Sequence, residues 1–494
     1  LIDGKGEEDY FAADKRGSSL VLNLTAWPQE INNVRLNNLI IRDISQKKLA
    51  EQQLIVSAFT DSLTGLSNRA NFTRVLAEQI KEGERTGKPF FLLVIDLDKF
   101  KEVNDSFGHD YGDRLLKAAS KRLLSCVRDH DLVSRMGGDE FTIVLREIDT
   151  EADLLKVAQR ILRTFRREFA IRERRIFVSA SVGIAAYPQD AQYAEKLLKS
   201  ADMAMYAAKR AGKDAFRLFT REMYVQYERH KLIERALQKA IANNELALHF
   251  QPKISYARQE VVGFEALLRW NTPELGFVSP MEFIPIAEEN GCIIDITRWV
   301  IAQAVRTMAQ LAEQSDYFTG RRIMVSVNIS VDHFKHDLYG DLQRILEHEG
   351  FEPSLLEIEI TEGTLLTSAS EVVKTLNMIS ALGVQISIDD FGTGYSSLQY
   401  LKNFHLDTIK IDRAFVRDIF ADPHNVLIVE SIISIAKRMN LMLVAEGVES
   451  SEEVQHLVAL GCDVFQGYFY SKPLPAGDIP AFLNRFGALG KHAD

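Results

Sequence analysis

Cysteine is nearly absent: three in 494 residues, Cys126, Cys292 and Cys462, far apart and in no metal-ligand pattern. That excludes a disulfide scaffold and a thiolate zinc centre, and points to a reducing, intracellular setting. Positive charge is also short, with 59 Lys and Arg against 69 Asp and Glu, a net charge of −10. Nucleic acid needs a basic stripe to displace its counterions, so it is excluded as a partner, whereas a small phosphorylated ligand held by a few cations is not. No run of 18 consecutive apolar residues and no signal peptide occurs, so no membrane segment is expected within this stretch. The chain starts at Leu1 rather than Met, which leaves room for an upstream span. The expected location is the cytoplasm, free or as the cytoplasmic part of an inner-membrane protein. At about 100 to 200 residues per domain, the length implies two to four domains.

What is present is most informative between Val384 and Tyr395, VQISIDDFGTGY, an apolar alternation that ends in two adjacent carboxylates and a glycine-rich loop. Adjacent acids at a strand end repel each other and lose solvation, and a fold keeps such a pair where cations neutralise it. Asp389 and Asp390 therefore predict metal-dependent chemistry.

From Leu20 to Asp43 the chain reads as strands, LVLNLTAW and then VRLNNLIIRD, too few for a domain and resembling the end of a truncated one. Asp43 can cap a helix through KKLAEQQLIVSAF, in which Leu49, Val56 and Leu63 are seven apart. A parallel dimer seam and a linker helix packed on its own domain both fit, since three heptad steps prove little and Gln52 occupies a core position. From 61 to 216 strands and helices alternate, as in an α/β sandwich. FFLLVIDLDKF is a buried strand ending in Asp96 and Asp98, LVSRMGGDEFTIVL is two strands around a Gly-Gly turn, and FVSASVGIAAYP is another strand. Gly137 and Gly138 permit positive φ and close approach of backbone to a ligand, with Asp139 and Glu140 beside the turn. Those carboxylates can meet Asp96 across neighbouring strands and hold a divalent metal. Asn104 and Asp113, on the polar stretch after the strand, offer an amide and a carboxylate to the edge of a base. Each element alone is often just a turn; together they are harder to dismiss.

DSLTGLSNR (61–69), IDLDKFKEVNDSFGHDYGD (95–113), RMGGDEF (135–141) and AAKRAGKD (207–214) together resemble a GGDEF diguanylate cyclase domain, along the whole segment. The resemblance implies that Asp96, the carbonyl of Leu97, and Asp139 bind Mg²⁺ with help from Glu140. It implies that Asn104 and Asp113 hold guanine, and that Lys101, Lys209 and Lys213 hold the phosphates of GTP. Synthesis would be in-line attack of one GTP's 3′-hydroxyl on the α-phosphate of another, so two domains must face each other in a homodimer. Arg128 and Asp131 form RxxD at the spacing of the family's inhibitory product site. Asp214 stands where the family usually has Asn.

A charged amphipathic stretch, REMYVQYERHKLIERALQKAI, leads into the third region; its polar face reads as solvated surface. Beyond it come eight apolar runs of strand length, most alternating with helical stretches as in a (β/α)₈ barrel. Seven of them end near Glu265, Asn328, Glu359, Asp389 with Asp390, Lys410, Glu446 and Gln466, and in such a barrel those ends converge on one face. One polar ending is ordinary; seven, mostly acidic, would be a peculiar way to build structure alone. FQPKI (250–254), EALLRW (265–270), VNIS (327–330), EITE (359–362), DDFGTGYSSL (389–398), KIDR (410–413), AEGVE (445–449) and QGYFYSKP (466–473) resemble an EAL phosphodiesterase domain. That resemblance implies one Mg²⁺ or Mn²⁺ on Glu265, Asn328, Glu359 and Asp389, with Asp389 bridging to a second on Asp390 and Glu446. It implies Lys410 as general base, Gln466 in support, Gln251 and Arg269 on the substrate, and Glu362 as anchor of the mobile loop from Phe391 to Leu398.

NNLIIRDISQKKLAEQQL resembles the closing strand and exit helix of a PAS sensor domain. The expected architecture is thus an α/β multi-domain chain: a PAS remnant (1–45), a linker helix (46–60), a GGDEF domain (61–216), a second linker helix (217–235) and an EAL barrel (236–487). The resemblances imply hydrolysis of cyclic di-GMP to linear pGpG by the barrel, in the signalling that governs biofilm and motility. The GGDEF domain would bind GTP as regulator and, under another signal, make cyclic di-GMP. The alternatives are a cyclase with an idle barrel, and a non-catalytic nucleotide receptor; such receptors usually carry broken catalytic motifs, and here the metal ligands are intact.

Overall fold

A computed structural model of the chain describes residues 6–13, 19–31, 34–48, 58–148, 150–366, 369–392 and 404–489. It divides into two compact units, Leu1–Glu228 and Arg229–Asp494, with the boundary inside the helix Arg221–Leu237. Among the described residues no helix is long and apolar enough to cross a membrane.

The chain opens with an antiparallel sheet of three strands, β1 (Gly6–Ala13), β2 (Ser19–Ile31) and β3 (Val34–Asp43). Strand β1 escapes sequence reading because GEEDYFAA mixes acids and alanines, both weak strand formers. At the end of β3 the Asp43 carboxylate accepts the Ser45 amide at 2.9 Å, the expected cap. The heptad reading loses a member here. Leu63 lies in the turn at 62–64, not in a helix, and packs against the core of the following sheet. Leu49 and Val56 lie outside the described residues.

That sheet contains β4 (Phe90–Leu97), the hairpin β5 (Leu132–Gly137) and β6 (Glu140–Leu145), and β9 (Ala180–Tyr187) with β10 (Phe216–Leu218), in the order β10-β9-β4-β6-β5. A small hairpin, β7 (Phe169–Ile171) and β8 (Arg174–Ile176), stands outside it. Central β4 is apolar on both faces: Phe90, Leu92 and Val94 enter one core cluster, Leu93, Ile95 and Leu97 the other. Strand alternation explains the unbroken FFLLVI run, because helices cover both sides. Alternation also puts Asp96 on the Phe90 face, under the helix Ala194–Arg210. That helix lies close against β9 at Gly183, where an added Cβ would meet the Ala201 carbonyl at 1.9 Å and the Met205 nitrogen at 2.1 Å.

The second unit is a barrel. Strands β11 (Leu246–Ser255), β12 (Glu260–Thr272), β14 (Met324–Asn328), β15 (Leu356–Thr361), β16 (Gln385–Phe391), β17 (Thr408–Ile411), β18 (Met442–Glu446) and β19 (Val464–Gln466) close a ring, with β13 (Gly276–Val278) and β20 (Leu474–Pro475) as short additions. The ring departs from an all-parallel barrel at β11, which runs antiparallel to both β12 and β19. Only residues 256–259 separate β11 from β12, and a parallel crossover needs a dozen or more. A hairpin is what that length permits.

Behind β14 the short turn Val331–Lys335 is tied to two helices through Asp341. This buried carboxylate receives Arg298 Nε at 2.7 Å, His333 Nε2 at 3.0 Å and Arg344 at 2.5 Å. Burial opposes its ionisation, but those three partners hold it down at about 2. The turn follows Asn328 directly, so this knot positions one wall of the site described below.

Two outcomes are expected. Gly183→Ala should cost about 3 kcal/mol in the first unit, measured by calorimetric unfolding, since its methyl meets backbone that cannot give way. Asp341→Asn should cost about 1 to 3 kcal/mol at neutral pH. Because the folded carboxylate titrates below its unfolded value of about 3.9, its contribution is whole above pH about 4 and is lost as pH falls toward 2, so the variant's deficit should vanish in acid melts.

Candidate active site in the barrel and a second acidic cluster

Lys410 is the centre of the barrel's polar interior. Its Nζ lies 2.6 Å from Glu359 Oε2, 2.5 Å from Glu446 Oε1, 3.3 Å from Asp389 Oδ1 and 3.5 Å from Glu265 Oε2, and the side chain is fully buried. Burial works against its charge, but Glu265, Glu359, Glu446 and Asp389 hold its pKa well above the ordinary value. The acids separate in response. Burial would raise Glu359 too, yet its two lysine partners hold it at about 2, whereas burial and mutual repulsion push Glu265, Asp389 and Glu446 upward. As Lys410 stands, it is a locked cation, held protonated by those carboxylates.

Neighbouring residues in a strand normally face opposite sides, so Asp389 and Asp390 should diverge. They do not, because the β16–β17 register shifts between Ile388 and Phe391, with Asp390 at φ 53°. This bulge turns both carboxylates one way. Ligand oxygens of Asp389, Asp390 and Glu446 all lie within 4.8 Å of one another, a spacing one hard cation can bridge. Burial, a hydrogen bond with Asp412 and the charge of Asp389 raise Asp390 to about 7.

Amides complete the ring. Asn328 Nδ2 donates to Glu265 Oε1 at 2.8 Å, and Gln466 Nε2 donates to Glu265 Oε2 at 2.5 Å and to Gln251 Oε1 at 3.2 Å. Gln251 in turn donates to the Ser471 carbonyl at 3.2 Å, so its amide is engaged on both sides. Glu362 accepts the Gly392 amide at 3.2 Å, at the start of the glycine-rich segment; residues 393–403 lie outside the described residues, and the expected loop to Leu398 with them. A cavity of about 550 Å³ opens beside the acids, lined by Arg269, Asn328, Asp389 and Asp390 on its polar side and by Met281, Ile284 and Ile296 among others on its apolar side.

Sequence reasoning missed the layer beneath. Lys253 Nζ is bound to Glu357 Oε1 at 2.6 Å, to Glu359 Oε1 at 2.8 Å and to Ser326 Oγ at 2.5 Å, and Thr408 Oγ1 donates to Glu357 Oε2 at 2.7 Å. The signal was legible in LEIEIT, whose acids two apart must share a face.

In the first unit, Asp96 and Glu140 are register partners across β4 and β6, with Asp139 in the turn between β5 and β6. The Asp96 carboxylate is raised to about 6, first by burial and further by Asp139 and Glu140, while Lys209 opposes the shift from 2.7 Å. Lys209 thus pairs with an acid rather than standing free. Asp98, the other acid of the DxD, is structural: it accepts the Ser179 and Ser181 hydroxyls at 2.6 Å and the Asp214 amide at 3.1 Å. Asp214 itself pairs with Arg166 at 2.7 Å and sits at φ 47°, a conformation that favours Asp or Asn over other side chains. Asn104 presents a buried amide oxygen with no hydrogen-bond partner, and an added Cβ at Gly112 would strike it at 2.0 Å. Asp113, Lys101 and Lys213 are exposed. The RxxD carboxylate is spoken for: Asp131 accepts the Arg128 amide at 2.9 Å and the Arg146 amide at 3.0 Å, which leaves the exposed Arg128 side chain as the part open to a ligand. Arg135, unnoticed in the sequence, donates to the Gly138 carbonyl at 2.7 Å and to Asp61 at 3.1 Å, and so pins the turn.

Comparison with known families matches residues 58–215 to "Diguanylate cyclase, GGDEF domain" and residues 234–473 to "EAL domain". The cyclic di-GMP phosphodiesterase NbdA of Pseudomonas aeruginosa is 36% identical over 465 residues, covering 93% of this chain and 59% of NbdA. The bifunctional diguanylate cyclase/cyclic di-GMP phosphodiesterase MucR of the same organism is 37% identical over 435 residues, 87% of this chain and 62% of MucR. The chain thus spans about six tenths of the length of these relatives. Among solved structures, the EAL enzyme Bd1971, bound to cAMP and cyclic di-GMP, is 32% identical with a TM-score of 0.50, covering 63% of this chain and 82% of that one. With both domain signatures matched in tandem and more than four fifths of Bd1971 covered, the chain belongs to the family of GGDEF–EAL domain proteins.

Proposed function

We propose that the barrel, residues 236–487, is a divalent-metal-dependent phosphodiesterase that hydrolyses cyclic di-GMP to linear pGpG. One observation carries this: four carboxylates converge on Lys410, and one of them, Asp389, lines a cavity that also presents Arg269 and Asp390. The donor set, carboxylates with one amide oxygen, suits Mg²⁺ or Mn²⁺, held by Glu265, Asn328, Glu359 and Asp389 and by Asp389, Asp390 and Glu446. Two such cations would acidify a water for attack on phosphorus and offset the charge of the transition state.

The chain's own residues do the rest. Arg269 orients a non-bridging phosphate oxygen. Were cations to occupy the four acids, Lys410 Nζ would lose the charges that keep it protonated and could take the proton of the attacking water. The 3′-oxygen leaves, and its sugar stays on the product. Gln466 holds Glu265 in place, Gln251 braces Gln466 and contacts the substrate, and Glu362 fixes the loop that closes over the nucleotide.

In the GGDEF domain, 61–216, Asp96, the Leu97 carbonyl, Asp139 and Glu140 would hold Mg²⁺ with GTP. Lys101, Lys209 and Lys213 would take the phosphates, and Asn104 and Asp113 the guanine. The unpartnered, buried oxygen of Asn104 supports the last assignment. Arg128 would serve an inhibitory product site, with Asp131 shaping its turn. GTP regulates hydrolysis in this reading, within a homodimer in the cytoplasm, with residues 1–45 as the end of a PAS sensor and 46–60 and 217–235 as linkers. A second reading, net synthesis of cyclic di-GMP, is favoured by the acidic cluster in which Asp96 and Glu140 are register partners.

Nucleotide chromatography should find cyclic di-GMP consumed with Mg²⁺ and untouched with EDTA; equal rates would sink the proposal. Glu265→Ala or Asp389→Asn should lower hydrolysis by about a thousandfold or more while GTP binding, measured by calorimetry, stays within twofold, whereas equal loss of both would signal unfolding. With GTP alone, accumulation of cyclic di-GMP would favour the second reading, and appearance of pGpG would mean that both sites turn over.

A further inference from the structure

Lys253 on β11 lies beneath the site and touches none of the cavity. It is 2% exposed, and its three bonds go to Ser326, Glu357 and Glu359. The two oxygens of Glu359 are therefore divided in use: Oε1 faces Lys253 at 2.8 Å, and Oε2 faces Lys410 at 2.6 Å among Glu265 and Asp389. Glu357, two residues earlier on the same face of β15, is held by Lys253, Ser326 and Thr408.

Stability gives a poor account of this pair. Buried ions lose so much solvation that well-packed apolar side chains of similar size often serve as well or better. What Lys253 supplies is orientation and charge for Glu359. Without it, Glu359 would be free to rotate or to share Lys410 through both oxygens. Resting on the metal-site reading proposed for the barrel, we infer that Lys253 is a positioning residue that presents Glu359 Oε2 alone to a hard divalent cation. Lys253 fixes the rear oxygen, Glu357 fixes Lys253, and the hydroxyls of Ser326 and Thr408 fix Glu357. The line of contacts runs from β11 through β15 to the site with no exposed member.

The test uses the full chain carrying Asp139→Ala, so that cation binding reports the barrel. Mn²⁺ binding is measured by isothermal titration without nucleotide, and unfolding by calorimetry, for Lys253→Met and for Lys253→Met with Glu357→Gln. The double variant removes one buried charge of each sign and keeps the interior's net charge. Positioning predicts that both variants bind Mn²⁺ about 10- to 100-fold more weakly than the parent, and that hydrolysis recovers as Mn²⁺ is raised. A double variant with parental Mn²⁺ affinity, within twofold, overturns the inference, as does failure of the double variant to fold, which would make Lys253 a stability element. A parent that binds no Mn²⁺ overturns the metal-site reading instead.

Discussion

Charge pairing inside the barrel is the constraint on which the second unit depends. Along the line of contact Glu357, Lys253, Glu359 and Lys410 alternate in sign across β11, β15 and β17, all of them buried. At interior dielectric an uncompensated charge there would cost several kcal/mol, so no member is free to change alone. This requirement explains local choices that look arbitrary one at a time. β15 alternates apolar residues outward with acids inward; β17 places a lysine between isoleucines; β11 alternates Gln251, Lys253 and Ser255 inward with Phe250 and Ile254 outward. The barrel is apolar outside, where helices pack, and polar inside except for a small cluster of Val262, Val444 and Val464.

The first unit solves the same problem by a different route. Its sheet is apolar on both faces and puts chemistry only at the end of β4, where burial raises Asp96 to about 6 and Lys209 supplies the counter-charge from an overlying helix. The close approach at Gly183 lets that helix come near enough. Side chains two residues apart then take opposite parts: Asp96 faces the cluster, and Asp98 ties β4 to Ser179, Ser181 and the backbone of Asp214. Of these two acids one joins the acidic cluster and the other is structural.

Much of this was legible. The acids and amides at the strand ends of the barrel were readable because a parallel ring must bring such ends together, and the Gly-Gly hairpin was readable from its flanking alternation. What was not legible depends on partners distant in sequence. Lys253 in FQPKI carries no sign of the glutamates more than 100 residues away that give it meaning, and Arg135 none of Asp61. The antiparallel course of β11 was implied by the four-residue gap before β12, but eight similar apolar runs drew attention from gap length. RxxD likewise carries no sign that its carboxylate accepts two backbone amides, one of them from Arg146.

The bulge at Asp390 has an evolutionary consequence. A side chain at φ 53° is tolerated for Gly, Asn and Asp and strained for nearly everything else. The position is thus filtered twice, once by chemistry for an acid and once by backbone for a short residue that accepts the left-handed turn. Asn passes the second filter while failing the first. Loss of the acid with the backbone intact is therefore a single step, one that removes a charge from the cluster without disturbing the bulge. The same backbone that brings two acids together leaves one of them a single substitution from neutrality.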